Sequence, residues 1–154
     1  MISFKPAQKT AEFDAARTLI VDYSHELGVD LGFQGITEEL AGLDRVYSPP
    51  HGRLVIAWHG KEAVGCVGLK QIDGATCEMK RMYVKPDFRG RKIGLGLANR
   101  IMNEGKKLHY AAMRLDTLVS LQAAVALYRR LGFHEIEPYY ENPLPDVLYF
   151  ERRL

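Results

Sequence analysis

Tyr83-Val84-Lys85-Pro86-Asp87-Phe88-Arg89-Gly90-Arg91-Lys92-Ile93-Gly94 decides how this chain is read. An apolar run ends at Val84, Pro86 stops it, and a Gly/Arg-rich turn leads into a segment with Ile93, Leu97 and Ile101 on one helical face and Ala98 and Met102 beside them. The pattern is strand, turn, helix. The first amides of a helix lack intrahelical partners, and the helix dipole adds partial positive charge there, so such a junction can hold an anion through backbone alone. Gly90 and Gly94 let a ligand come close, and Arg91 and Lys92 add charge suited to phosphate. A ligand-free turn opening an ordinary helix is the other reading. The P-loop pattern needs Gly-Lys followed by Ser or Thr, which is absent, and Gly90, Gly94 and Gly96 do not give the G-x-G-x-x-G spacing of a dinucleotide site.

Working outward, Leu54–Trp58, Ala63–Ile72 and Thr76–Val84 read as three strands separated by turn residues at His59-Gly60 and Asp73-Gly74, an antiparallel meander. If Asp73-Gly74 is a two-residue turn, Cys66 lies opposite Arg81 and Cys77 opposite Lys70, so the cysteines cannot bridge. Ile2–Lys5 is a short strand. The helix after it carries Phe13, Ala16, Ile20, Tyr23 and Leu27 on one face and stops at Gly28. Thr37 has the character of an N-cap, with Glu38 and Glu39 in the first turn. Beyond the central helix, Ala111–Asp116 reads as a strand. Ala124, Leu127, Tyr128 and Leu131 mark a helix ending at Gly132, and His134–Glu137 and Val147–Arg152 are the last strands.

The 154 residues suit one domain spanning 1–154, and 47% hydrophobic with 26% charged residues is the composition of a folded globular chain. A net charge of +2, with basic residues scattered, speaks against a nucleic-acid partner. Neither a secretory leader nor an apolar run long enough for a membrane is present, so a cytoplasmic protein without membrane association is expected. The five histidines form no metal-ligand spacing, and no metal is expected.

Taken with Leu97, the stretch from Tyr83 to Gly94 resembles the acyl-CoA-binding motif of the GNAT superfamily of N-acetyltransferases. The later run Ala124-Val125-Ala126-Leu127-Tyr128-Arg129-Arg130-Leu131-Gly132-Phe133 resembles its second signature. There are two departures. Lys92 stands at the first glycine position of the Arg/Gln-x-x-Gly-x-Gly register, although Arg91 to Gly96 meets the bare pattern two residues later. Leu121 stands where that family often has a cofactor-contacting asparagine.

The resemblance implies an α/β domain with a mixed, mostly antiparallel sheet flanked by helices and splayed at the cofactor-binding strand. It implies acetyl-CoA as acyl donor, with the backbone of Met82, Tyr83 and Val84 pairing with the pantetheine arm and Arg89, Gly90, Arg91, Lys92, Ile93 and Gly94 wrapping the pyrophosphate. The implied activity is transfer of an acetyl group to a primary amine of a small molecule, peptide or protein, by direct attack in a ternary complex of a monomer or homodimer. A non-catalytic CoA-binding or sensor module on the same fold is the alternative.

A lysine-like amine, with a pKa of about 10.4, must lose a proton before it attacks. Glu78 matches by position the glutamate that acts as base in some members, and alternation puts it on the side of Met82 and Val84. Tyr128 matches the tyrosine near the cofactor sulfur and would protonate the leaving thiolate. The Met82 amide would polarise the thioester carbonyl. Cys66 and Cys77 carry no mark of an activated thiol. Acceptor choice should rest with the loops Val29–Gly35 and Tyr139–Asn142, where Tyr139, Tyr140 and Glu141 could frame a cationic amine.

Overall fold

The computed structural model describes residues 1–154. One seven-stranded sheet runs through them in the order β1-β2-β3-β4-β5-β7-β6, built from β1 (Ile2–Pro6), β2 (Arg53–His59), β3 (Glu62–Gln71), β4 (Thr76–Val84), β5 (Ala112–Leu118), β6 (His134–Ile136) and β7 (Val147–Arg153). All neighbours are antiparallel except β4 and β5. The expected α/β class, with a mostly antiparallel sheet, is therefore correct, and the three-strand meander is its centre.

Helices cover both faces. On one side α1 (Thr10–Leu27) presents Phe13, Ala16, Leu19 and Ile20 to Leu54, Ile56, Cys66 and Tyr83, with Leu43 and Tyr47 from α3 (Leu43–Val46) and the loop after it completing the layer. α1 starts where the Glu12 carboxylate accepts the Gln8 and Lys9 amides at 2.9 Å each, and stops at Gly28, whose φ of +70° closes the last turn. On the other side α4 (Ile93–Lys107) and α5 (Gln122–Arg130) pack Leu97, Ile101 and Tyr128 onto Val55, Val67, Leu69, Met113 and Phe150. Alternation along β2 divides the two cores: Leu54 and Ile56 face α1, Val55 and Ala57 face α4.

Three sequence expectations need correction. The short helix α2 (Ile36–Ala41) is preceded by Gly35 at φ +71°, so Thr37 lies inside it, and Glu39 is buried. The β3–β4 turn is longer than two residues: the Asp73 carboxylate accepts the Ala75 and Thr76 amides at 2.9 Å each, and Gln71 faces Cys77. Further along, Gly68 faces Lys80 but Cys66 faces Tyr83, so Arg81 and Met82 together oppose one residue of β3. This is a β-bulge, and Arg81 sits in it at φ +60°, a conformation costing a non-glycine residue roughly 1–2 kcal/mol. Cys66 and Cys77 consequently belong to opposite cores, both as free thiols.

The bulge also overturns the shared-face expectation for Glu78. Met82 and Val84 turn toward the α4 core, whereas Tyr83 joins the α1 core and Arg81 points to Glu39 and Gln34 on that same side. Glu78 is contacted by Lys80 and by the Tyr139 hydroxyl, away from Met82 and Val84.

Candidate active site

β4 and β5 are hydrogen-bonded in parallel only from Thr76–Ala112 to Glu78–Arg114, and past that point they separate. The β4 edge from Met79 to Val84 and the β5 edge from Leu115 to Leu118 therefore face a gap rather than each other. Unpaired strand edges carry backbone donors and acceptors that need partners. Two cavities fill the gap.

The larger, of about 740 Å³, runs between β4, the turn before α4 and the start of α5. Met82, Tyr83 and Val84 form one wall, and Arg89, Gly90, Lys92, Ile93 and Gly94 form its end. The chain reaches α4 through two left-handed residues, Gly90 at φ +79° and Lys92 at φ +62°. In α4 the first amide to find a carbonyl is that of Gly96, 3.1 Å from the Lys92 oxygen, and no amide from Gly90 to Leu95 has a backbone partner. The turn thus presents a run of free N–H groups at the positive end of a 15-residue helix.

Arg89 braces this turn. Its guanidinium pairs with Glu26 of α1 at 2.7 Å, its Nε donates to the Val84 carbonyl at 2.9 Å, and it lies over the Tyr83 ring. The same hydrogen bond holds the exposed Glu26 carboxyl below its usual range. Arg91, expected in the anion site, does not line the cavity; its guanidinium stacks 4.9 Å from the centre of the Phe88 ring. The two glycines of the competing registers lie in different surroundings. Gly94 lines the cavity, whereas a Cβ on Gly96 would lie 2.2 Å from Cζ of Phe4, so Gly96 serves the contact of α4 with β1.

The smaller cavity, of about 100 Å³, lies deeper between the strands and is lined by Lys80, Arg81, Asp116, Gln34, Asn142 and Tyr128 among apolar neighbours. Tyr23, Leu27, Met82, Leu118, Leu121 and Ala124 line both cavities, so the two meet there. Leu121, at the position of the missing asparagine, is part of this junction. Tyr23 is a member that sequence reasoning treated only as one of the apolar positions of a helix. Its place one turn before Leu27 and Gly28, at the helix end nearest β4, was the available signal.

Tyr128 is 6% exposed, and its hydroxyl makes no hydrogen bond within the chain. Burial, with Tyr23 and Asp116 adding to it, pushes its pKa well above the ordinary phenol value, so it remains a protonated donor across the neutral range. Asp116 accepts hydrogen bonds from the Tyr140 hydroxyl and, at 3.3 Å, from Asn142. Glu78 lines neither cavity: one oxygen accepts from Tyr139 at 2.6 Å and the other lies 3.7 Å from the Lys80 ammonium. Arg81 donates to Glu39 at 2.8 and 3.2 Å and to Gln34 at 2.7 Å, using three of its five N–H groups. Both expected specificity loops reach the smaller cavity, through Leu31 and Gln34 and through Asn142, while Tyr139 and Tyr140 stand behind it as donors to Glu78 and Asp116. Burial raises the Cys66 and Cys77 thiols to about 12.

Comparison with known proteins agrees with this architecture. The family model of the acetyltransferase (GNAT) family matches residues 19–133. An uncharacterized N-acetyltransferase of Schizosaccharomyces pombe is 44% identical over 96% of this chain and 92% of its own length. An IAA acetyltransferase of Azospirillum brasilense is 33% identical over 92% of each. A GNAT-family acetyltransferase structure from Staphylococcus aureus superposes with a TM-score of 0.82 at 21% identity, covering 99% of both chains. A GNAT-family structure from Elizabethkingia anophelis with acetyl-CoA bound gives 0.69 at 22% identity over 99% of this chain and 98% of the other. The chain belongs to the GNAT acetyltransferase family and is an acyltransferase.

Proposed function

We propose that this protein transfers an acetyl group from acetyl-CoA to a primary amine by direct attack while both substrates are bound. The observation that carries the reading is the run of unpartnered amides from Gly90 to Leu95, opening on a cleft that joins a small polar cavity at Tyr23 and Met82. A pyrophosphate fits those amides and the adjacent Lys92, and the free edge at Met82, Tyr83 and Val84 suits an extended pantetheine arm added like a strand. That arm would bring the thioester to the junction of the cavities.

The acceptor amine then enters from the smaller cavity. Its nitrogen attacks the thioester carbonyl carbon, the N–C bond forms, the C–S bond breaks, and the electron pair leaves with sulfur. We assign Tyr128 as the donor that protonates the departing thiolate, because its hydroxyl has no competing partner and stays protonated. The proton lost by the amine goes to Asp116, the carboxylate on the cavity wall. Glu78 lies behind Lys80, so its part in base catalysis is indirect: it keeps Lys80 charged and orders Tyr139. An amide at Met82 would stabilise the oxyanion.

Direct attack is supported by the thiols. Burial raises the Cys66 and Cys77 thiols to about 12 and neither lines either of the two cavities, so neither is suited to carry the acyl group. The test is acceptor-dependent release of CoA thiol, combined with intact-mass analysis after acetyl-CoA alone. The reading expects release only with amine and no mass increase; a stable acetyl adduct on either cysteine would refute the ternary mechanism.

A further inference from the structure

We infer that the acceptor is a free amino acid, recognised through its carboxylate by Lys80 while Asp116 receives its amino group. The inference rests on the transferase reading above and concerns the smaller cavity alone. Lys80 projects from β4 just before the bulge, its side chain is 9% exposed, and it lines this cavity. Its ammonium has no hydrogen-bonded partner in the chain: the nearest carboxylate oxygen, on Glu78, is 3.7 Å away, beyond hydrogen-bond reach, and that residue's other oxygen is committed to Tyr139. The residue is half-buried and its ammonium is not sealed from solvent, so all three donors are open to the acceptors of a ligand that enters the cavity. Burial drags its pKa down while Glu78 opposes that shift.

The other charged groups narrow the class. Arg81 commits three of its five N–H donors to Glu39 and Gln34, which hold it in place, so it serves the cavity mainly as positive potential. Asp116 accepts two hydrogen bonds and, as a carboxylate, has acceptor capacity left for an amine. Lys80 and Arg81 stand against Glu39, Glu78 and Asp116, so the surroundings hold one more negative charge than positive. A ligand bearing only a carboxylate would deepen that imbalance. A zwitterion leaves it unchanged while giving Lys80 its acceptors and Asp116 its cation. The volume of about 100 Å³ and apolar walls at Leu31, Leu115 and Leu144 suit a small molecule with a modest apolar side chain. An N-terminal peptide residue offers the amine but replaces the carboxylate with an amide.

The experiment compares the protein amino acids, each against its own amide, as acceptors in the CoA-thiol release assay, with short peptides and simple diamines as further arms. For the preferred acceptor, kcat/KM of the free acid is expected to exceed that of its amide by at least tenfold. Lys80→Met is expected to bring the ratio near one without changing KM for acetyl-CoA, and Lys80→Arg to retain much of the preference. Amides, peptides or diamines used as well as free acids would overturn the inference and leave the transferase reading standing. If no acceptor turns over, thermal unfolding of the CoA-loaded protein with free amino acids against their amides reads the same site without chemistry. A larger shift for the acids, lost in Lys80→Met, supports the inference; equal shifts or none overturn it. Failure of acetyl-CoA itself to bind would instead strike the underlying reading.

Discussion

Replacing Glu39 by alanine should remove a large part of this protein's stability, and the size of the loss follows from the bulge. The Arg81 guanidinium is 3% exposed and Glu39 4%, joined at 2.8 and 3.2 Å, and Arg81 occupies a left-handed backbone position. Glu39→Ala leaves a buried guanidinium with only Gln34 as partner, a change that typically costs about 3–5 kcal/mol. For 154 residues at roughly 2.1 cal/mol/K per residue, this corresponds to a Tm about 9–16 °C lower. Removing both charges with Glu39→Met and Arg81→Met should recover part of the loss, because no buried charge is then unpaired. Scanning calorimetry with urea titration measures it, and a Tm loss under about 3 °C for Glu39→Ala would refute the assignment. The pH dependence carries a defined sign. Burial raises the Glu39 pKa, but the Arg81 hydrogen bond and charge more than offset this and hold it below its reference value of 4.5. The pair's stabilisation is therefore present above that value and is lost as pH falls through the lower folded-state pKa. Glu39→Gln should flatten this part of the acid limb.

Three further outcomes follow from named contacts. Gly96→Ala puts a Cβ 2.2 Å from the Phe4 ring, and the overpacking should cost about 1–3 kcal/mol in urea unfolding despite alanine's better helix propensity. Tyr128→Phe should lower kcat about 10- to 100-fold with acetyl-CoA affinity nearly unchanged, as expected for loss of a proton donor; an equal loss of both would assign Tyr128 to binding or packing. Lys92→Ala should weaken CoA binding measurably by calorimetry, whereas Arg91→Ala, which only unstacks from Phe88, should change it less than about twofold.

Much of the fold was legible because strong local signals agreed with it. Gly28 and Gly132 stop helices, Pro86 ends β4, and the spacing Ile93, Leu97, Ile101 sets the buried face of α4. The free amides before α4 were legible for the same reason, since they follow from a left-handed glycine leading into a helix. What escaped was the bulge. Period-two alternation carries Glu78 to the face of Met82 and Val84, but one extra residue at Arg81 reverses every side chain beyond it. Nothing local to Lys80-Arg81-Met82 announces that; the conformation is held by Glu39 and Gln34, more than forty residues earlier. The polar cavity was hidden for a related reason: Gln34, Lys80, Asp116 and Asn142 come from separate elements that meet only where β4 and β5 part.

The most direct test of the central claim is calorimetric titration of the protein with acetyl-CoA and CoA beside ATP and NAD. The account predicts saturable binding of both CoA species, weakened by substitution of Lys92 and matched by a rise in Tm, with no comparable binding of ATP or NAD. Absence of CoA binding at millimolar concentration, or equal binding of all four ligands, would contradict it.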